Sequence, residues 1–192
     1  MHSSPPVILA FDTSAAYCAA AIMVGARIEV VAVEEMTRGQ AERLMPMMEE
    51  MLGQSGKTWR DVHAIGVGVG PGNFTGIRVS VSAARGLALG LGVPAIGVTG
   101  FDARAFAEPE GTRIAIPAPR DQIYLAGPPP RLVDRTDVPD AKLNTPPDRQ
   151  IEAIARIALA RMANDPPPPA PVYVRAADAA PARDAPPVLL DP

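Results

Sequence analysis

The residues able to do chemistry lie close together in the first half of the chain. Asp12-Thr13-Ser14 sets a carboxylate beside two hydroxyls at the end of the apolar run Val7 to Phe11. Side chains of these types also bond back to nearby backbone, so a polar hairpin turn accounts for them equally. Gly68-Val69-Gly70-Pro71-Gly72-Asn73-Phe74-Thr75-Gly76 joins a strand-like run to a helical one. A glycine loop so placed can aim the first backbone N–H groups of a helix at an anion. It is not a Walker loop, because Ile77 and Arg78 follow Gly76 where that motif needs lysine and a hydroxyl. The alternative is a tight structural turn with Thr75 as the helix cap. Arg78 in the first helical turn opposes the helix dipole and asks for an anion opposite it, either a ligand phosphate or a neighbouring carboxylate. Asp12, Thr13, Gly72, Asn73, Thr75 and Arg78 are thus the candidate residues near an anion or nucleotide.

Other reactive types are sparse. Cys18 is the only cysteine and stands in an alanine-rich run, which suits a small buried hydrophobe and excludes an intramolecular disulfide. His2 and His63 are far apart and supply no zinc cluster, so no metal site and no metallopeptidase chemistry is expected. His63 has no nucleophile in a recognisable elbow to serve.

With 192 residues, 47% of them hydrophobic and 20% charged, the chain can build one large domain or two small lobes. Eighteen basic residues against 21 acidic ones give a net charge of −3, which excludes a strongly basic, stand-alone nucleic-acid binder. The apolar stretch Val7 to Gly25 has no basic leader and is interrupted by Asp12, so a soluble cytoplasmic protein without a membrane segment is expected. Fourteen of the 16 glycines fall in residues 1–100 and 18 of the 23 prolines in residues 101–192. Tight turns therefore punctuate a packed first half, and proline breaks up the second.

The elements that must position these groups follow from periodicity. Val7 to Phe11, Tyr17 to Val24 and Arg27 to Val33 read as three antiparallel strands, the last two joined at Gly25-Ala26. Gln40 to Leu52 is helical, with Leu44, Met47, Met48, Met51 and Leu52 on one face and Pro46 at its start or kink. Ala64 to Gly70 is a buried strand, Ile77 to Gly90 a second helix and Pro94 to Thr99 another strand. Shorter pieces follow: a helical Phe101 to Ala107 and strands at Arg113 to Ile116, Gln122 to Ala126 and Arg131 to Asp134. A helix from Asp148 to Met162, capped by Asp148, carries an apolar stripe of Ile151, Ile154, Ala155, Ala158 and Leu159. Asp165 to Pro171 should be extended, Val172-Tyr173-Val174 a last strand, and the tail from Ala176 loose. The order implies an α/β fold: a first lobe over 1–100, a reduced second lobe over 101–175 and a Pro/Ala-rich tail over 176–192.

Five of the eight methionines fall within Met36 to Met51, and thioethers suit both irregular cores and adaptable binding surfaces. Ser82, Gly86 and Gly90 recur every fourth residue, a small-residue ridge that admits another backbone. Each helical glycine costs ~1 kcal/mol relative to alanine and needs a compensating contact. Either a partner chain or the protein's own sheet would supply it. Leu44, Met47, Met48, Met51, Leu52, Ser82, Gly86 and Gly90 are the candidate partner interface.

Ile8 to Ser14 (ILAFDTS), Gln40 to Pro46 (QAERLMP), Gly70 to Arg78 (GPGNFTGIR), Gly86 to Gly90 (GLALG) and Pro94 to Val98 (PAIGV) stand in an order that resembles the TsaB (YeaZ) family. Its members are accessory proteins of bacterial tRNA threonylcarbamoyladenosine synthesis. Weaker echoes lie at Asp121 to Tyr124 and Val172 to Arg175. The resemblance implies an actin/Hsp70/sugar-kinase-like fold, in which Asp12-Thr13-Ser14 would stand near nucleotide phosphates. It also implies a non-catalytic subunit, without a cofactor of its own, paired with the catalytic subunit TsaD through the first two long helices. The ATPase TsaE would join them, and contact with tRNA would be indirect. An isolated chain can pair with itself through the same face. Catalytic relatives carry an H-x-x-x-H metal pair after the strand matching Pro94 to Thr99, where this chain has Gly100-Phe101-Asp102-Ala103-Arg104. Gln40 stands where the family usually has histidine. The rival expectation is a small nucleotide-dependent phosphotransferase or hydrolase using Asp12, Thr13 and the Gly70 to Gly76 loop.

Overall fold

A computed structural model describes residues 4–164 and 166–174. Two sheets organise it. The first has the order β3-β2-β1-β4-β5, built from β1 (Val7–Asp12), β2 (Tyr17–Val24), β3 (Arg27–Glu35), β4 (Ala64–Gly68) and β5 (Ala95–Val98). β1 pairs antiparallel with β2 and parallel with β4, so the sheet is mixed and β1 is its centre. Every residue of β1 is buried, which is why it reads as an unbroken apolar run rather than an alternation.

Alternate residues of β1 enter different cores. Leu9 and Phe11 face α1 (Gln40–Gln54) and α2 (Phe74–Leu91), whereas Ile8 and Ala10 face α4 (Pro147–Arg161). Small residues let α4 lie close to the sheet: a Cβ on Gly66 would come within 2.9 Å of the Ala158 Cβ. Four chain-end and loop expectations change. Thr75 is not the cap of α2, since Asn73 holds that position. Of the two places offered for Pro46, the structure has the one inside α1. Pro146, without a side-chain bond, occupies the cap position of α4, while Asp148 sits in the first turn. β4 stops at Gly68 because Gly70 turns to φ 88°. Val172 to Val174 form no strand; Val172 N donates a single 2.8 Å bond to Val69 O.

The second sheet is small: β6 (Ala115–Pro117), β7 (Gln122–Leu125) and β8 (Arg131–Asp134), antiparallel in that order. Ala115, Ile123 and Val138 form its modest core. A short helix, α3 (Gly100–Ala105), links the two sheets. Chain order and spatial grouping diverge here, because α4 follows the second sheet in sequence yet packs its buried face on the first. The expected tail over 176–192 lies outside the described residues. No helix among the described residues is long and apolar enough to cross a membrane.

Candidate functional site

Asp12 ends β1 with 1% of its surface exposed. Its Oδ1 accepts the Ser14 N–H at 2.8 Å, and its Oδ2 accepts the Tyr17 hydroxyl at 2.8 Å and the Gln150 amide at 3.0 Å. Gly68 on the adjacent strand leaves the room, since a Cβ there would overlap the Asp12 carboxyl group. Burial, and then the charge of Asp12, push the Tyr17 hydroxyl well above its ordinary pKa, so it stays protonated and serves as a donor. Three of the roughly four acceptor sites of the Asp12 carboxylate are thus used within the chain.

The glycine loop closes over the same turn. Asn73 N donates to Ser14 O at 2.6 Å, the Asn73 side chain accepts from Gly76 N at 2.8 Å, and the Thr13 hydroxyl donates to Gly76 O at 2.7 Å. A Cβ on Gly72 would overlap Ser14 O, and one on Gly76 would overlap Thr13 O. These glycines are there because the turn after β1 presses against the start of α2. Asp12, Thr13, Gly72 and Asn73 do come together in one hydrogen-bonded knot, with Gly72 and Asn73 also lining the cleft beside it. Thr75 is exposed. Arg78 finds an aromatic partner in place of the expected anion: its guanidinium lies 3.8 Å from the Phe74 ring centre and its Nε donates to the Tyr173 hydroxyl at 3.3 Å.

Beside the knot, a cleft of about 490 Å³ separates the first sheet from β6 and β7. Phe74, Ile116 and Tyr124 wall it, and Tyr17, Arg104 and Gln150 bring polar groups to it. Burial pulls the Arg104 guanidinium below its ordinary pKa. Residue typing along the chain missed Tyr17, Arg104 and Gln150. Gln150 carried a signal, a polar side chain one residue before the apolar stripe of its helix that turns out 4% exposed.

The candidate interface divides in two. Leu44, Met47, Met48, Met51 and Leu52 point inward, none more than 3% exposed, and pack in the core between α1, α2 and the sheet. They fill this chain's interior and do not present a face to another, which corrects half of the expectation. Ser82, Gly86 and Gly90 do face outward, and a Cβ on either glycine would meet nothing within 4 Å among the described residues. Leu89 on the same face is 86% exposed.

His63 accepts the Val7 N–H at 3.1 Å, a structural role. Among the described residues no group of three or more His, Cys, Asp or Glu side chains converges on a metal position. In the stretch after β5, Asp102 pairs with Arg161 at 3.1 Å.

Residues 24–136 match the family model for TsaD, tRNA N6-adenosine threonylcarbamoyltransferase. The tRNA threonylcarbamoyladenosine biosynthesis protein TsaB of Haemophilus influenzae is 35% identical over 125 residues, 62% of this chain and 52% of that protein. The protein of the same name from Escherichia coli is 38% identical over 92 residues, 48% of this chain and 39% of that protein. The chain thus spans about half the length, or less, of these curated relatives. Two solved structures from Pseudomonas aeruginosa share the fold at 26% identity. An uncharacterized protein with similarity to peptidase YEAZ has a TM-score of 0.69 and matches 88% of this chain and 100% of that one. YeaZ has a TM-score of 0.65, with 88% and 99% covered. The mixed α/β sheets and these neighbours agree with the actin/Hsp70/sugar-kinase-like architecture. The chain belongs to the tRNA N6-adenosine threonylcarbamoyltransferase (TsaD) family and is similar to the TsaB and YeaZ proteins.

Proposed function

We propose that the chain is a non-catalytic subunit of tRNA threonylcarbamoyladenosine synthesis, acting in the cytoplasm by docking on a TsaD-type catalytic subunit through the outer face of α2. The observation that carries this reading is the open ridge of Ser82, Gly86 and Gly90 beside exposed Leu89. Gly86 in the helix interior costs ~1 kcal/mol relative to alanine, and among the described residues nothing packs where a Cβ on it or on Gly90 would stand. Close approach of a second helix offsets that cost. The names of the curated relatives supply the pathway. A TsaE-type ATPase joins the assembly, tRNA is engaged through the catalytic subunit, and a second copy can take the α2 face when the chain is alone.

The closed knot at Asp12 supports the non-catalytic part, because a carboxylate accepting three internal bonds is not free to hold a nucleotide's metal or to act as a base. Reconstitution tests the whole reading. The chain alone should neither turn over ATP nor modify tRNA, and adding it to the TsaD- and TsaE-type subunits of its own organism should restore modification. ATP turnover by the purified chain would instead favour the phosphotransferase or hydrolase alternative.

A further inference from the structure

A second hollow, about 390 Å³, opens between α3, α4 and residues 142–146, with Arg104 lining both it and the cleft. Four basic side chains, Arg104, Lys142, Arg149 and Arg156, border it against two carboxylates. Both carboxylates are taken: Glu108 pairs with Lys142 at 3.1 Å, and Glu152 lies 3.7 Å from Arg149 and 3.8 Å from Arg156.

Arg104 has no such partner among the described residues. One terminal nitrogen donates to the Leu143 carbonyl, while Nε is buried without any acceptor. Asp12, whose charge Arg104 feels, is already occupied by three donors. The Thr145 hydroxyl lines the same hollow and is also buried with no bond. A buried polar group left unpaired is costly, and a charged one more so. A bridging water can accept a hydrogen bond here but cannot balance the guanidinium charge. A carboxylate or phosphate oxygen does both, and its geometry matches a guanidinium edge.

We infer that this hollow binds a small oxyanion, the carboxylate or phosphate group of a metabolite-sized ligand, held by Arg104 and Thr145 with Arg149 and Arg156 at the rim. The site is independent of the α2 face and of the assembly proposed for it.

Calorimetric titration of the full chain with sodium phosphate and, separately, with sodium malonate tests this, ionic strength being held constant with chloride. Saturable binding of at least one probe is expected. Phosphate alone would mark a phosphorylated ligand, and malonate alone a carboxylic acid. Arg104→Gln should weaken that binding about tenfold or more, and Thr145→Val by about threefold. Arg120→Gln, on the turn between β6 and β7, should leave it unchanged. Silence with both anions up to about 10 mM would overturn the inference, as would equal affinity in Arg104→Gln. Should Arg104→Gln fail to fold, Thr145→Val decides, and undiminished binding in that variant overturns the inference too.

Discussion

The Tyr17 hydroxyl donates to Asp12 Oδ2 at 2.8 Å, and the Gln150 amide, arriving from α4, reaches both oxygens at 2.9 and 3.0 Å. Three elements separated by up to 138 residues thereby share one buried triangle. The triangle fixes the hairpin after β1 against α4 and keeps the carboxylate from the cleft. Tyr17→Phe removes one donor from a buried carboxylate and should cost about 1–3 kcal/mol of stability. Gln150→Leu should cost a similar amount, about 1–3 kcal/mol. Urea unfolding of the two variants checks this, and midpoints equal to wild type would contradict it.

Alkaline pH should weaken the fold at two nearby groups. Burial first, and then the charge of Glu34, push the Cys18 thiol up to about 11, and the Tyr17 hydroxyl is raised as well. Groups with raised native pKa values keep their protons longer folded than unfolded. Their contribution is therefore whole below the unfolded pKa and is lost as pH climbs through the native one. For Cys18 that window runs from about pH 9 to 11, with stability falling by roughly 1.4 kcal/mol per pH unit for one proton. Cys18→Ala should lower that slope by one proton's worth and leave the part due to Tyr17, measured as unfolding free energy against pH. An undiminished slope would rule out the thiol as its source.

Glycines in one helix should respond with opposite signs. Gly76→Ala drives a Cβ into the Thr13 carbonyl and should destabilise by about 1–3 kcal/mol. Gly86→Ala and Gly90→Ala enter open space and should each stabilise the isolated chain by up to ~1 kcal/mol through helix propensity. Thermal melts of the three variants make the comparison.

Met48 separates core from interface. It is 0% exposed, so Met48→Ala should cost about 2–5 kcal/mol of folding stability. Its affinity for a TsaD-type subunit, corrected for the folded fraction, should stay near wild type. A selective loss of affinity with full stability would return the methionine face to the interface.

Local signals carried the first sheet well. β-branched and alanine-rich runs marked β1, β2 and β3, and the spacing of Leu44, Met47, Met48, Met51 and Leu52 marked one face of α1. That spacing says which residues share a face but not whether the cover is a sheet of the same chain or a second protein. Here the cover is β2 and α2. The glycine loop was ambiguous for a related reason. A glycine loop before a helix looks the same whether a phosphate or the Thr13 and Ser14 carbonyls approach it, and only the register of β1 against β4 decides. Arg104 and Gln150 could not be assigned locally, because their meeting with Tyr17 depends on α4 returning across the first sheet from beyond the second.

Titration of the TsaD-type catalytic subunit of the same organism into the full chain, alongside Gly86→Arg and the distant control Arg131→Ala, tests the α2 interface most directly. We expect a one-to-one complex with the wild type and with Arg131→Ala, and an affinity lowered about 100-fold or more by Gly86→Arg. Equal affinity for Gly86→Arg, or no complex with the wild type, would contradict docking through that face.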